Sequence, residues 1–172
     1  MLFAEEKISM QIEDSSAAPE IVIAADGSGA SLAVALLFKL SEKHLQSIEN
    51  VVLLSPWLDF SPDNPLITGK RVSDEVMTGE ALHRAADLYT YANNLDNPLV
   101  SPLKASAENF IGFPPFFIQM GEKEILLPQA EQFAELLKQN EIECTLDVWP
   151  NMMFMFQMAD EYLHESHLAL DK

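Results

Sequence analysis

The residues best placed to do chemistry are six in a row, Asp26-Gly27-Ser28-Gly29-Ala30-Ser31, flanked by an apolar run ending at Ala25 and a second beginning at Leu32. A strand that turns sharply into a helix at such a place can serve three ends. Free backbone N–H groups at the helix start can hold phosphate, but the third glycine of a dinucleotide fingerprint is replaced by Leu32 and no P-loop lysine follows. The turn can be a nucleophile elbow, in which small neighbours lift a serine above a sheet. It can also be a tight connection with no chemistry. The six residues alone leave all three open.

Other polar residues offer weaker constellations. Glu80-x-x-His83 and Glu161-x-x-His164 repeat the spacing of a carboxylate-bundle iron site, yet that chemistry needs four facing helices. Solvated helix faces account for them, and His44 and His167 likewise suit helix ends or exposed surfaces. Met152, Met153, Met155 and Met158 lie among Phe154 and Phe156, a mixture that fills irregular core volume rather than ligating a soft metal. No cofactor or metal site is expected.

The elements that must position the turn follow from periodicity. Glu20 to Ala25, Asn50 to Ser55, Pro115 to Met120 and Cys144 to Trp149 are short apolar runs, the first three continuous, as strands covered on both faces require. Between them, helical spacing predicts helices over Ser31 to His44, Ser73 to Asn93 and Glu124 to Asn140, and another from Met155 to Leu170. The first is apolar nearly all round and should be packed on several sides. The last should turn Met155, Met158, Ala159, Tyr162 and Leu163 inward. Strands alternating with helices make right-handed βαβ units, hence an α/β domain with a mainly parallel sheet of about four strands. The stretch from Pro56 to Val72 is too long for a simple connection.

Composition sets the wider limits. The 172 residues, 48% apolar and 22% charged, suit one soluble domain spanning 1–172. Ten basic against 27 acidic side chains give a formal charge of −17, which repels nucleic acid and anionic membrane. No apolar run is long enough to span a bilayer, and the N-terminus is acidic at Glu5 and Glu6 where a secretory signal is basic. The single cysteine, Cys144, fits a reducing compartment, so a cytoplasmic location is expected.

Five segments, in order, resemble the hormone-sensitive-lipase-like esterases of the α/β-hydrolase superfamily. They are IVIAADGSGASLAVALL from Ile21, VVLLSPWLDF from Val51, NPLVSPL from Asn97, GFPPFFIQMGEKEILLPQAEQFAELL from Gly112 and VWPNMMFMFQ from Val148. The resemblance implies the carboxyl-terminal part of that fold, with the N-terminal half of the usual sheet absent and a helix at Glu5 to Glu13 leading into the elbow strand. It also implies where catalytic groups belong. The family elbow A-G-D-S-A-G-G lays its serine on Gly27, the run G-S-D-E-I-L-L-D lays its aspartate on Lys123, and W-P-G-M-F-H-V-F-Q lays its histidine on Phe154. The upstream H-G-G-G oxyanion loop has no counterpart.

Glycine carries no nucleophile, phenylalanine accepts no proton, and lysine cannot orient an imidazole as a carboxylate does. The expectation is therefore a hydrolase relative with a degenerate triad. The alternative is an ester hydrolase that uses Ser28, one position after the expected nucleophile, or that a partner chain completes. Ser28 reads more simply as the N-cap of the following helix. The elbow strand, at Ile21, Val22 and Ile23, should present an open apolar edge and recruit a second copy or another chain.

Overall fold

A computed structural model describes residues 20–61, 64 and 74–172. Four strands form one sheet in the order β1-β2-β3-β4, with β1 Ile21–Asp26, β2 Ile48–Leu54, β3 Phe116–Gly121 and β4 Cys144–Trp149. All three neighbouring pairs are parallel. The strand runs read from the sequence are thus all present, shifted by two residues or fewer at their ends. Registry puts Ile23, Val51 and Phe116 in one row and Ala25, Leu53 and Ile118 in the next. Because side chains alternate across a strand, this face carries the core, and Val51, Leu53 and Ile118 are fully buried on it.

The helices depart from the spacing-based reading in instructive ways. The first, α1, runs Gly29–Leu37 and stops, and a separate short helix α2 spans Glu42–Leu45. Its apolar girdle is not covered all round: Ala30, Val34 and Leu37 are buried, whereas Leu32 and Leu36 are 57% and 42% exposed. Apolar composition in a helix therefore marks a face, and here more than one face is apolar while only one has a neighbour among the described residues.

Helix α3 spans Gly79–Tyr89, shorter than Ser73 to Asn93, because Thr78 caps its start by accepting the Ala81 N–H and a 3₁₀ turn at Ala92–Asn94 follows. Leu82 and Ala86 face inward. Helix α4, Leu127–Gln139, begins three residues after Glu124 and buries Ala130, Phe133 and Leu137. The stretch expected as one helix from Met155 to Leu170 is broken into a 3₁₀ turn, Phe156–Ala159, and α5, His164–Leu170. Met158 and Tyr162 consequently face solvent rather than the core. The segment expected as a helix at Glu5 to Glu13, and most of Pro56 to Val72, lie outside the described residues.

Where that connection is described, it is a built core element. Trp57 stacks on Phe60 with ring centroids 4.0 Å apart, and Phe60 stacks in turn on Tyr89 of α3. The buried amide of Gln129 in α4 accepts the N–H groups of Leu58 and Asp59 at 3.0 Å each and donates to the Asp59 carbonyl. One side chain thereby satisfies three backbone groups that a buried loop would otherwise leave unpaired. Lys104 reaches the buried Asp59 at 3.3 Å.

At the end of β3 the chain passes very close to the loop after β4. A Cβ added to Gly121 would lie 2.3 Å from the Met152 carbonyl oxygen, which is backbone and cannot swing aside. Gly121→Ala is expected to lose roughly 3 kcal/mol or more of stability through this overpacking. Urea unfolding followed by far-UV circular dichroism measures it, and an unchanged midpoint would refute the close approach.

Candidate active site at the carboxyl ends of the strands

In an open parallel sheet, functional groups collect in the loops that leave the carboxyl ends of the strands. Four such loops meet here. β1 ends in the turn at Gly27, which adopts a φ of +44°, a left-handed value that suits glycine. The Gly27 carbonyl accepts the N–H of Trp57 at 2.9 Å, fastening the turn to the loop after β2. Ser31, in the first turn of α1, donates its hydroxyl to the Trp57 carbonyl and reinforces the same junction.

The elbow and the loop after β4 converge. A Cβ placed on Gly27 would lie 3.7 Å from Phe154 Cζ and 3.8 Å from Met155 Sδ, ordinary contact distances. The positions that the sequence motifs single out on these two loops therefore face one another. Lys123 joins through its backbone, its N–H donating to the Met152 carbonyl at 2.9 Å, and it is only partly buried. The turn it occupies and the loop after β4 are laced by two further bonds, Glu122 N–H to the Trp149 carbonyl and Asn151 N–H to the Glu122 carboxylate, each 2.9 Å.

Ser28 stands at the N-cap position of α1, but in helical geometry and without a side-chain capping bond, so the expected cap is not made. A residue already in the helical region points its hydroxyl away from the N–H groups it would serve. Three of the four histidines pair elsewhere: His44 with Ser41, His83 with Asp87, and His167 with Asp160 and Asp171. Among the described residues no three metal-ligating side chains come together. Burial pushes the Cys144 thiol up to about 11, which removes it as a nucleophile near neutral pH.

The sequence reading missed two residues that the fold places here. Ser55, at the end of β2, is fully buried with a φ of +48°, a strained value for a non-glycine residue. Its hydroxyl donates to Glu124 Oε1 at 2.8 Å and accepts the Met155 N–H at 3.1 Å. Glu124 is 2% exposed, and the same Oε1 accepts the Gly121 N–H at 2.6 Å. Oε2 is buried with no hydrogen-bond partner. Burial pushes the Glu124 carboxyl up to about 8, with the Gly121 and Ser55 bonds pulling the other way and the charge of Asp74 adding to the rise. Asn151 and Met155, on the loop after β4, also have left-handed φ values of +61° and +57°. Strain of this kind costs on the order of 1–3 kcal/mol per residue and tends to gather at functional sites.

A parallel sheet with helices packed on it, a strand-turn-helix elbow and two further strand-end loops that meet that elbow define the class: an α/β-hydrolase. The comparisons agree. A family model described as the alpha/beta hydrolase fold matches residues 3–158, and the chain belongs to that family, on its hormone-sensitive-lipase-like branch. It is 30% identical to an esterase of Acinetobacter venetianus over 152 residues, which are 88% of this chain and 49% of that protein. With an acetyl-hydrolase of Streptomyces hygroscopicus it shares 26% identity over 162 residues, 94% of this chain and 53% of the other. A solved esterase from the bacterial hormone-sensitive lipase family superposes with a TM-score of 0.77 at 30% identity, covering 87% of this chain and 50% of that one. The chain spans about half the length of these relatives.

Glu124 supplies a pH dependence whose sign is fixed. The unfolded chain releases this proton near 4.5, whereas the folded chain holds it to about 8, so stability falls as pH rises between those values. Glu124→Gln, which keeps the acceptor and removes the ionisation, should gain on the unaltered protein by about 1.4 kcal/mol per pH unit across that window. Paired denaturant titrations at pH 5 and pH 7.5 measure the difference. An equal gap at both pH values would show that Glu124 is not held neutral.

Proposed function

We propose that this chain is a catalytically silent relative of the hormone-sensitive-lipase-like esterases, with Gly27 and Phe154 standing where nucleophile and base belong and Lys123 where the motif puts the acid. The observation that carries the reading is the approach of Phe154 and Met155 to the Cβ position of Gly27. The nucleophile and base of an acyl-transfer site must be neighbours, and these two positions are neighbours that hold neither group. Phe154 and Met155 instead supply apolar packing at the elbow, as aromatic and thioether side chains do well. No cofactor enters this reading, and the family chemistry needs none. A cytoplasmic location belongs to it, supported by a lone cysteine that is partly buried; no helix among the described residues is long and apolar enough to cross a membrane.

The second reading, an ester hydrolase working through Ser28 or completed by another chain, draws on the exposure of Ser28 beside the elbow. Purified protein given p-nitrophenyl acetate, and separately a fluorophosphonate label for activated serines, tells the two apart. No turnover above buffer and no label are expected. Turnover and labelling that both disappear in Ser28→Ala would overturn the silent reading in favour of the second.

The edge of β1 supports association with a second copy or another chain. Among the described residues β1 pairs only with β2. The N–H groups of Ile21 and Gly27 point to β2, donating to Ser47 and Leu54, so by alternation those of Val22 and Ala24 face the open side. Val22 is 55% exposed, and Leu32 and Leu36 of α1 present further apolar surface. Ile21 and Ile23, by contrast, pack against the core, which narrows the expected contact set to Val22 and its neighbours. Light scattering should find assemblies above the 19.2 kDa monomer, reduced in Ala24→Pro, which deletes an outward N–H without breaking a bond to β2. A stable monodisperse monomer would count against this reading.

A further inference from the structure

We propose that the loop after β4 is an oxidation-sensitive latch and that Met155 is its reactive group: a hydroperoxide converts this thioether to the sulfoxide and frees the loop from the elbow at Gly27. The proposal goes beyond the reading above and does not rest on it. Thioether oxidation uses no triad, and the contacts it breaks are present whether or not the chain turns over an ester.

Three features carry it. Four of the chain's eight methionines fall within residues 152–158, on this loop and the turn that follows it. Met158 is 61% exposed and Met152, Met153 and Met155 are part-buried, whereas Met120 in β3 is sealed in the core. A thioether reacts where an oxidant in solvent can reach it, so the loop offers its sulfurs and β3 does not. Second, the Met155 sulfur sits against the elbow. Sδ lies 3.8 Å from the Cβ position of Gly27, with Phe154 Cζ 3.7 Å from the same point. Oxidation adds a polar oxygen at this apolar contact. Gly27 has no side chain, its N–H is already given to the Leu54 carbonyl, and Phe154 offers no donor, so the oxygen either turns out to water or stays unpaired at a cost. Third, the Met155 backbone is under tension: its φ is +57°, and its N–H is held by the Ser55 hydroxyl at 3.1 Å. A side chain leaving the contact removes part of what sustains a conformation costly for a non-glycine residue, and the bond to Ser55 is lost with it.

The step balances between thioether and peroxide. The sulfur lone pair attacks one peroxide oxygen, an S–O bond forms as the O–O bond breaks, and the proton of the transferred hydroxyl goes to the departing hydroxide, which leaves as water. Sulfur gives up two electrons and the peroxide takes them. No base of the protein takes part, and methionine sulfoxide reductases reverse the change.

Hydrogen peroxide treatment of the native chain, with each methionine read by peptide mass spectrometry, tests the latch. Met155 and Met158 should convert while Met120 stays a thioether, and Tm should fall by roughly 3–10 °C. The two sulfoxide reductases, one for each epimer, should together restore it. Met155→Leu, which keeps the volume and cannot be oxidised, should abolish most of that fall, whereas Met158→Leu should keep it. A Met155 that stays reduced after Met158 is fully converted, or a fall of the same size in Met155→Leu, would overturn the proposal. Should Met155→Leu not fold, hydrogen exchange on the oxidised, unaltered chain decides. The Met155 N–H should then exchange about tenfold faster or more than in the reduced chain, and unchanged protection counts against the latch.

Discussion

The hydroxyl of Ser55 is the point through which the strand-end loops communicate. Its own N–H donates to the carbonyl of Gln119 in β3, its oxygen donates to Glu124 in the turn after β3, and it accepts from Met155 in the loop after β4. The left-handed φ at Ser55 turns the backbone just past β2 and leaves the side chain buried between its partners. Three loops are thereby fixed relative to one another, and the fourth, at Gly27, is fixed to the same region through Trp57.

This architecture is held mainly by groups other than the side chains at positions 27, 123 and 154. The positions of Gly27, Lys123 and Phe154 depend on backbone hydrogen bonds and on the Gly121 close approach, none of which uses the side chains that acyl transfer would need. Gly27 holds a left-handed turn that glycine adopts at no steric cost. Phe154 fills space next to it. On the silent reading proposed above, a site repacked with apolar atoms exchanges hydrogen-bonding constraints for dispersion contacts while the surrounding frame persists.

Much of the fold was legible in the sequence because parallel strands write themselves as apolar runs; β3 is buried nearly throughout, whereas β1, expected to be covered on both faces, leaves Val22 exposed, and the alternating run at Cys144 to Trp149 coincides with β4 at both ends. Helix limits were less legible. The break after Ala159 has no proline or glycine to announce it, and Leu32 and Leu36 read as core because composition cannot say which faces of an apolar helix find neighbours. For the site, the elbow and the loop at Phe154 were visible as motifs. Glu124 and Ser55 were not, since both lie inside segments that look like ordinary helix and strand. The available signal was small: a glutamate three residues after a glycine at a strand end, and a serine-proline pair closing another strand.

The pairing of Glu124 with the loop that carries Phe154 also bears on how far this chain stands from chemistry. A buried carboxylate retains its proton where desolvation outweighs the hydrogen bonds it accepts, and Glu124 does so to about pH 8 despite its bonds from Gly121 and Ser55. An imidazole beside it would change both titrations together, because a proton shared by two coupled groups belongs to the pair. The raised proton affinity of Glu124 follows from its burial beside the loop that carries Phe154. It is a consequence of the same burial that, with a partner present, makes such a carboxylate an effective acceptor.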